Sequence, residues 1–117
     1  MAEALTCIKL STKPSSHGGE MIKHIVMVKF KPEVSQQQQV EAMGKMGQAL
    51  GQIPGVKNLT MGPALAVEGQ PRYSGVMLID FDDEAKLKAY LDHPAHKAVW
   101  AQAQPMCSDF LIIDCLY

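Results

Sequence analysis

The chain predicts an α+β domain: one antiparallel four-stranded sheet with helices on a single face. Three observations carry this. The runs "IKHIVMVKF" (22–30), "YSGVMLIDF" (73–81) and "FLIIDCL" (110–116) are apolar and rich in β-branched residues, as strands are. Apolar residues at helical spacing fill the stretches after the first run and before the last. At 117 residues the chain has room for one core, large enough to fold without disulfides or a structural metal.

Residues 1–20 end in a Ser/Pro/Gly-rich stretch and read as an extension ahead of a domain spanning 21–117. Within it "LTCIKL" has the pattern to pair onto a sheet edge, while the lack of Arg and the presence of Glu3 and Glu20 argue against a targeting peptide. The first strand stops at Pro32. Ser35 then caps a helix, with Gln38 in the capping-box position. Val40, Met43, Met46 or Gly47, Leu50 and Ile53 recur along its apolar side, and Pro54-Gly55 ends it. Its interior glycines cost about 1 kcal/mol each relative to Ala, which close packing on the sheet would offset.

Val56 to Met61 form a short second strand, followed by a loop and the third strand, Tyr73 to Phe81. Asp82 or Asp83 caps the next helix, whose apolar side is Leu87, Tyr90 and Leu91. In "YLDHPAHKAVW" Pro94 suits the first position of a third helix, with Asp92 or His93 before it, and Pro105 closes that helix. The last strand is Phe110 to Leu116. The order β-α-β-β-α(α)-β is that of a ferredoxin-like fold.

Helices on one face predict alternating apolar and polar residues in the strands. The alternation fails: Ile25 and Met27 accompany Val26 and Val28, and Leu111 and Ile113 accompany Phe110 and Ile112. A second apolar face needs a partner, so a homodimer packed sheet against sheet, closing an α/β barrel, is the expectation.

Eleven basic and twelve acidic residues leave a net charge of −1, which makes nucleic acid and anionic membranes poor partners. No apolar run reaches the roughly 20 residues of a membrane helix. Cys7, Cys107 and Cys115 are odd in number and lack metal spacing, so they read as reduced thiols of a cytoplasmic protein.

Parity points to a site. His24 shares a strand face with Ile22, Val26, Val28 and Phe30, and Asp114 shares one with Phe110 and Ile112. Under the helices, an unpaired carboxylate is costly and most cheaply meets a histidine, which it orients and makes more basic. Tyr90 adds a phenol as acid or oxyanion donor, so Tyr90, His96, Asp114 and His24 form one acid/base set if the fold gathers them. Tyr90 also fits as a packed helix residue with a satisfied hydroxyl. His93 reads as a helix-start residue bonding backbone, and a metal site of His24, His93 and His96 is not expected, because Pro94 sets His93 outside the helix. The expected lining of the apolar space is His24, Val26, Val28, Met43, Met46, Met77, Ile79, Trp100, Phe110 and Ile112.

"IKHIVMVKFKPEVS", "IPGVKNLTMG", "YLDHPAHKAVW" and "LIIDCLY", in this order over Met21 to Tyr117, together resemble the stress-responsive dimeric α/β-barrel (Dabb) family. The resemblance implies the ferredoxin-like fold and the sheet-to-sheet homodimer, and some members are linked to stress tolerance. It also implies a site like that of a polyketide cyclase of the family, which works by aldol condensation without metal or organic cofactor. By that likeness His96 is the base, Asp114 its orienting partner, Tyr90 the acid and His24 a pocket residue. The pattern departs where that cyclase has aromatic residues on the first helix and this chain has Met43 and Met46, and where it has glycine and this chain has Trp100. Two functions follow: a homodimer that binds a small hydrophobic or carbonyl ligand, or a cofactor-free acid/base enzyme of cyclase, lyase or isomerase type.

Overall fold

The computed structural model describes residues 21–117; the expected extension, residues 1–20 with its LTCIKL segment, lies outside them. The elements are β1 (Ile22–Phe30), α1 (Gln36–Leu50), β2 (Lys57–Pro63), β3 (Gly75–Phe81), α2 (Glu84–Asp92), α3 (Pro94–Ala103) and β4 (Cys107–Leu116), with a 3-10 turn at Gln104–Met106. The strands lie in the order β2-β3-β1-β4, every neighbouring pair antiparallel, which is the ferredoxin-like topology. Among the described residues no helix is long and apolar enough to cross a membrane.

Local chemistry sets the element starts. The Ser35 hydroxyl accepts from Gln38 N at 3.1 Å while Ser35 N donates to Gln38 Oε1 at 2.8 Å, closing the expected capping box. Asp83, not Asp82, caps α2 by accepting from Lys86 N at 2.9 Å. His93 ends α2 and begins α3: its Nδ1 accepts from Ala95 N at 3.0 Å, and Pro94 follows at the first helical position. That hydrogen bond uses the ring for helix geometry.

Several boundaries differ from expectation. Helix α1 stops at Leu50 under a Gly51 cap, and a turn carries the chain through Gly55, whose φ of 93° suits glycine. Ile53 is buried within that turn rather than on a helix. Val40 is 51% exposed; the buried stripe of α1 is Met43, Met46 and Leu50, and on α2 Leu91 is likewise half-exposed. Strand β4 begins at Cys107, earlier than Phe110, and β3 begins at Gly75. Cys107 is a buried free thiol whose pKa burial pushes up, away from reactivity. Cys115 is disulfide-bonded and departs from the expectation of reduced thiols, while Cys7 lies outside the described residues.

The two faces of the sheet follow strand parity. On the helix-covered face Ile22, His24, Val26, Val28 and Phe30 of β1 meet Met77, Ile79 and Phe81 of β3, all buried. On the open face Ile25, Met27, Val76 and Leu78 are only partly covered, and Leu111 and Ile113 are exposed. One polar knot interrupts this open face. Lys23 Nζ lies 2.6 Å from Asp80 Oδ1, and Asn58 Nδ2 donates to Asp80 Oδ2 at 2.9 Å. Asn58 adopts φ 52° where the β2–β3 register shifts, a left-handed conformation that Asn tolerates. Burial alone would raise the Asp80 pKa, but Lys23, Asn58 and Tyr117 together hold it below its ordinary value.

Candidate active site

The β1–β4 register places Asp114 directly opposite His24 on the helix-covered face. Their side chains meet: His24 Nδ1 and Asp114 Oδ1 are 2.6 Å apart. An ionised carboxylate can only accept, so the shared proton sits on Nδ1, and in the neutral form of the ring the Nε2 lone pair is left free. His24 is 2% exposed and Asp114 lies at the sheet margin, its side chain 40% exposed. Asp114 therefore stays solvated while orienting a buried ring.

This corrects the expected pairing of Asp114 with His96. Register decides it, because facing strands bring His24 and Asp114 together, whereas α3 holds His96 across the Tyr90 ring from them. The Tyr90 ring centroid lies 5.6 Å from His24, 5.0 Å from Phe81 and 4.7 Å from His96. The four acid/base residues expected from the sequence are thus gathered, in a different order: Asp114, His24, Tyr90, His96.

Two polar atoms of this row are buried without a hydrogen-bond partner among the described residues: Tyr90 Oη and His96 Nδ1. This also departs from the reading of Tyr90 as a packed residue with a satisfied hydroxyl. Burial drives the Tyr90 pKa well above its ordinary value, so the phenol keeps its proton. Burial, and then the charge of neighbouring His24, hold the His96 pKa down, and the Leu91 backbone offsets this in part. His96 is therefore neutral near pH 7.

These residues open onto a cavity of about 190 Å³ between the sheet and helices α1, α2 and α3. His24, Val26, Val28, Met46, Met77, Tyr90, His96, Trp100, Phe110 and Ile112 line it. Met43 and Ile79 do not line it. Ile79 is wholly enclosed on the helix-covered face, and Met43 packs over Gly75, where a Cβ would come within 2.6 Å of its sulfur. Leu50, Met61, Leu91, Val99 and Ala103 complete the wall, and no signal beyond apolar spacing marks them. The rings of Trp100 and Phe110 pack at 4.6 Å.

Comparison with known proteins agrees with this architecture. The chain is 25% identical over 94 residues to olivetolic acid cyclase of Cannabis sativa, covering 80% of this chain and 93% of the cyclase. A dimeric ferredoxin-like protein of unknown function from Thermobifida fusca superposes with a TM-score of 0.75 at 27% identity, over 85% of this chain and 92% of that one. A Dabb family protein with a ferredoxin-like fold from Mesorhizobium loti gives a TM-score of 0.71 at 26% identity, over 81% and 94%. A family model, the Stress responsive A/B Barrel Domain, matches residues 22–116. With almost the whole described fold inside that match, the chain belongs to the Dabb family.

Proposed function

We propose that this protein is a homodimer whose cavity binds a small carbonyl compound and moves a proton on it, an acid/base activity of lyase, cyclase or isomerase type. The observation that carries this reading is the His24–Asp114 dyad packed against the ring of Tyr90, whose buried hydroxyl has no partner among the described residues. His24 Nε2 takes a proton from the carbon next to the carbonyl. The C–H electron pair becomes a C=C bond, and the carbonyl π pair moves onto oxygen. Tyr90 Oη–H hydrogen-bonds that oxygen as its charge grows, in a site where apolar walls strengthen the interaction. His96, held neutral, packs beside the same oxygen without a competing positive charge.

The dimer reading is supported by the apolar open face and by relatives described as dimeric. A second copy covering Ile25, Leu78, Leu111 and Ile113 would remove their apolar surface from water. Binding without turnover is the second reading, favoured by the apolar lining; both keep the same cavity.

The test is exchange of α-protons of small enolisable ketones and aldehydes in D₂O, followed by NMR. Wild type should exceed buffer, and His24→Gln should return to buffer rate while still binding. Exchange in His24→Gln equal to wild type would retire the dyad as base. Binding with no exchange in wild type would leave only the second reading.

A further inference from the structure

The shape and polarity of the cavity narrow what it holds, on the reading that it is a ligand site. Its volume of about 190 Å³ is below the roughly 300–1,000 Å³ of drug-sized pockets. Among the described residues no Lys, Arg, Asp or Glu stands in its wall, so an anionic ligand would lose its hydration and gain no counter-charge from them. A carboxylate or phosphate is therefore disfavoured.

Two polar side chains of the wall stand together: Tyr90 Oη and His96 Nδ1 are both buried and unpartnered among the described residues, on rings 4.7 Å apart. One carbonyl oxygen can accept from the Tyr90 hydroxyl, with the His96 ring packed beside it. The Trp100–Phe110 pair forms an aromatic wall elsewhere in the cavity.

We propose that the cavity selects neutral, compact molecules with a single carbonyl oxygen on an apolar body about one ring in size. The oxygen sits against Tyr90 and His96 and the body against Trp100 and Phe110. A long acyl chain does not fit while Trp100 is present.

Trp100 is the chain's single tryptophan and lines the cavity, so its fluorescence reports occupancy. The test compares cyclohexanone with methylenecyclohexane, which has the same shape without the oxygen, in wild type and Tyr90→Phe. Losing the phenol should weaken cyclohexanone about tenfold and leave methylenecyclohexane unchanged, the coupling expected of one buried hydrogen bond. Equal changes for both ligands, or no binding of either at millimolar concentration, would overturn the proposal.

Two further probes test size and charge. Cyclohexanecarboxylate should bind at least tenfold more weakly than cyclohexanone, and tighter binding refutes neutrality. For 2-dodecanone, Tyr90→Phe should change affinity less than about twofold, and the full tenfold coupling refutes the size limit. Discrimination without α-proton exchange would sink the catalytic reading and keep this one; exchange without Tyr90-dependent discrimination would do the reverse.

Discussion

The two faces of one sheet handle polarity in opposite ways. The open face is broadly apolar around an ion-paired cluster, Lys23 with Asp80 and Asn58. The covered face leaves Tyr90 Oη and His96 Nδ1 buried without partners among the described residues. Satisfied buried charge fixes structure, whereas unsatisfied buried polarity costs stability and persists where something else repays it. The open face thus reads as a surface for association and the covered face as a site for chemistry.

The strongest way to break this division is through the dyad. Asp114→Asn should keep the fold but remove the carboxylate that holds the Nδ1–H tautomer of His24. A drop of about 10²–10⁴ in α-proton exchange is expected by NMR; an unchanged rate would assign Asp114 to structure only. Next in size is the open face. Leu78→Glu with Ile113→Glu should weaken association by about 2–4 kcal/mol, read as monomer by sedimentation at micromolar concentration, with the isolated fold retained by circular dichroism.

A smaller effect tests close packing on the covered face. Gly75→Ala sets a methyl into Met43 and against Val28 Cγ2, where a Cβ would lie 3.3 Å away. About 1–3 kcal/mol of stability should be lost in urea denaturation, and the same change at Gly62, where nothing approaches a Cβ, should avoid this clash.

The smallest effect is in pH, where the faces part again. Folded His96 titrates below its ordinary value, so between that folded value and about 6.5 the unfolded chain binds more protons. Stability from the covered face is full above about 6.5 and falls as pH drops through this window. His96→Asn should flatten that part of the profile. Asp80 is also held below its ordinary value, and the open face keeps its contribution until pH falls below about 3.8, through the folded value. Stability measured by denaturant midpoint across pH 3–8 would show whether these two losses are separate.

How much of this was legible in the sequence follows the range of the interactions. Caps are local, so Ser35 with Gln38, and His93 with Pro94, were readable from neighbours three residues apart or fewer. Strand parity was also readable, and it placed His24 and Asp114 on the covered face. Which histidine takes Asp114 depends on the β1–β4 register, a contact spanning most of the chain, and neither spacing nor family likeness supplied it. The gathering of Tyr90 and His96 could be anticipated, but their missing partners could not, because satisfaction depends on every neighbour at once. Met43 was misplaced for a related reason: its position on the helix was correct, but only the approach of Gly75 shows that it seals the sheet rather than the cavity.

Asp114 sits at the rim of the sheet, half in water, with its other side on a ring that is closed off from solvent. Asp114 touches only Nδ1, so a proton accepted at Nε2 of His24 lies on the chamber side of the ring. Its exchange with bulk water would then require the chamber to open or admit water, and isotope exchange on the ligand would be tied to the traffic of the chamber's contents.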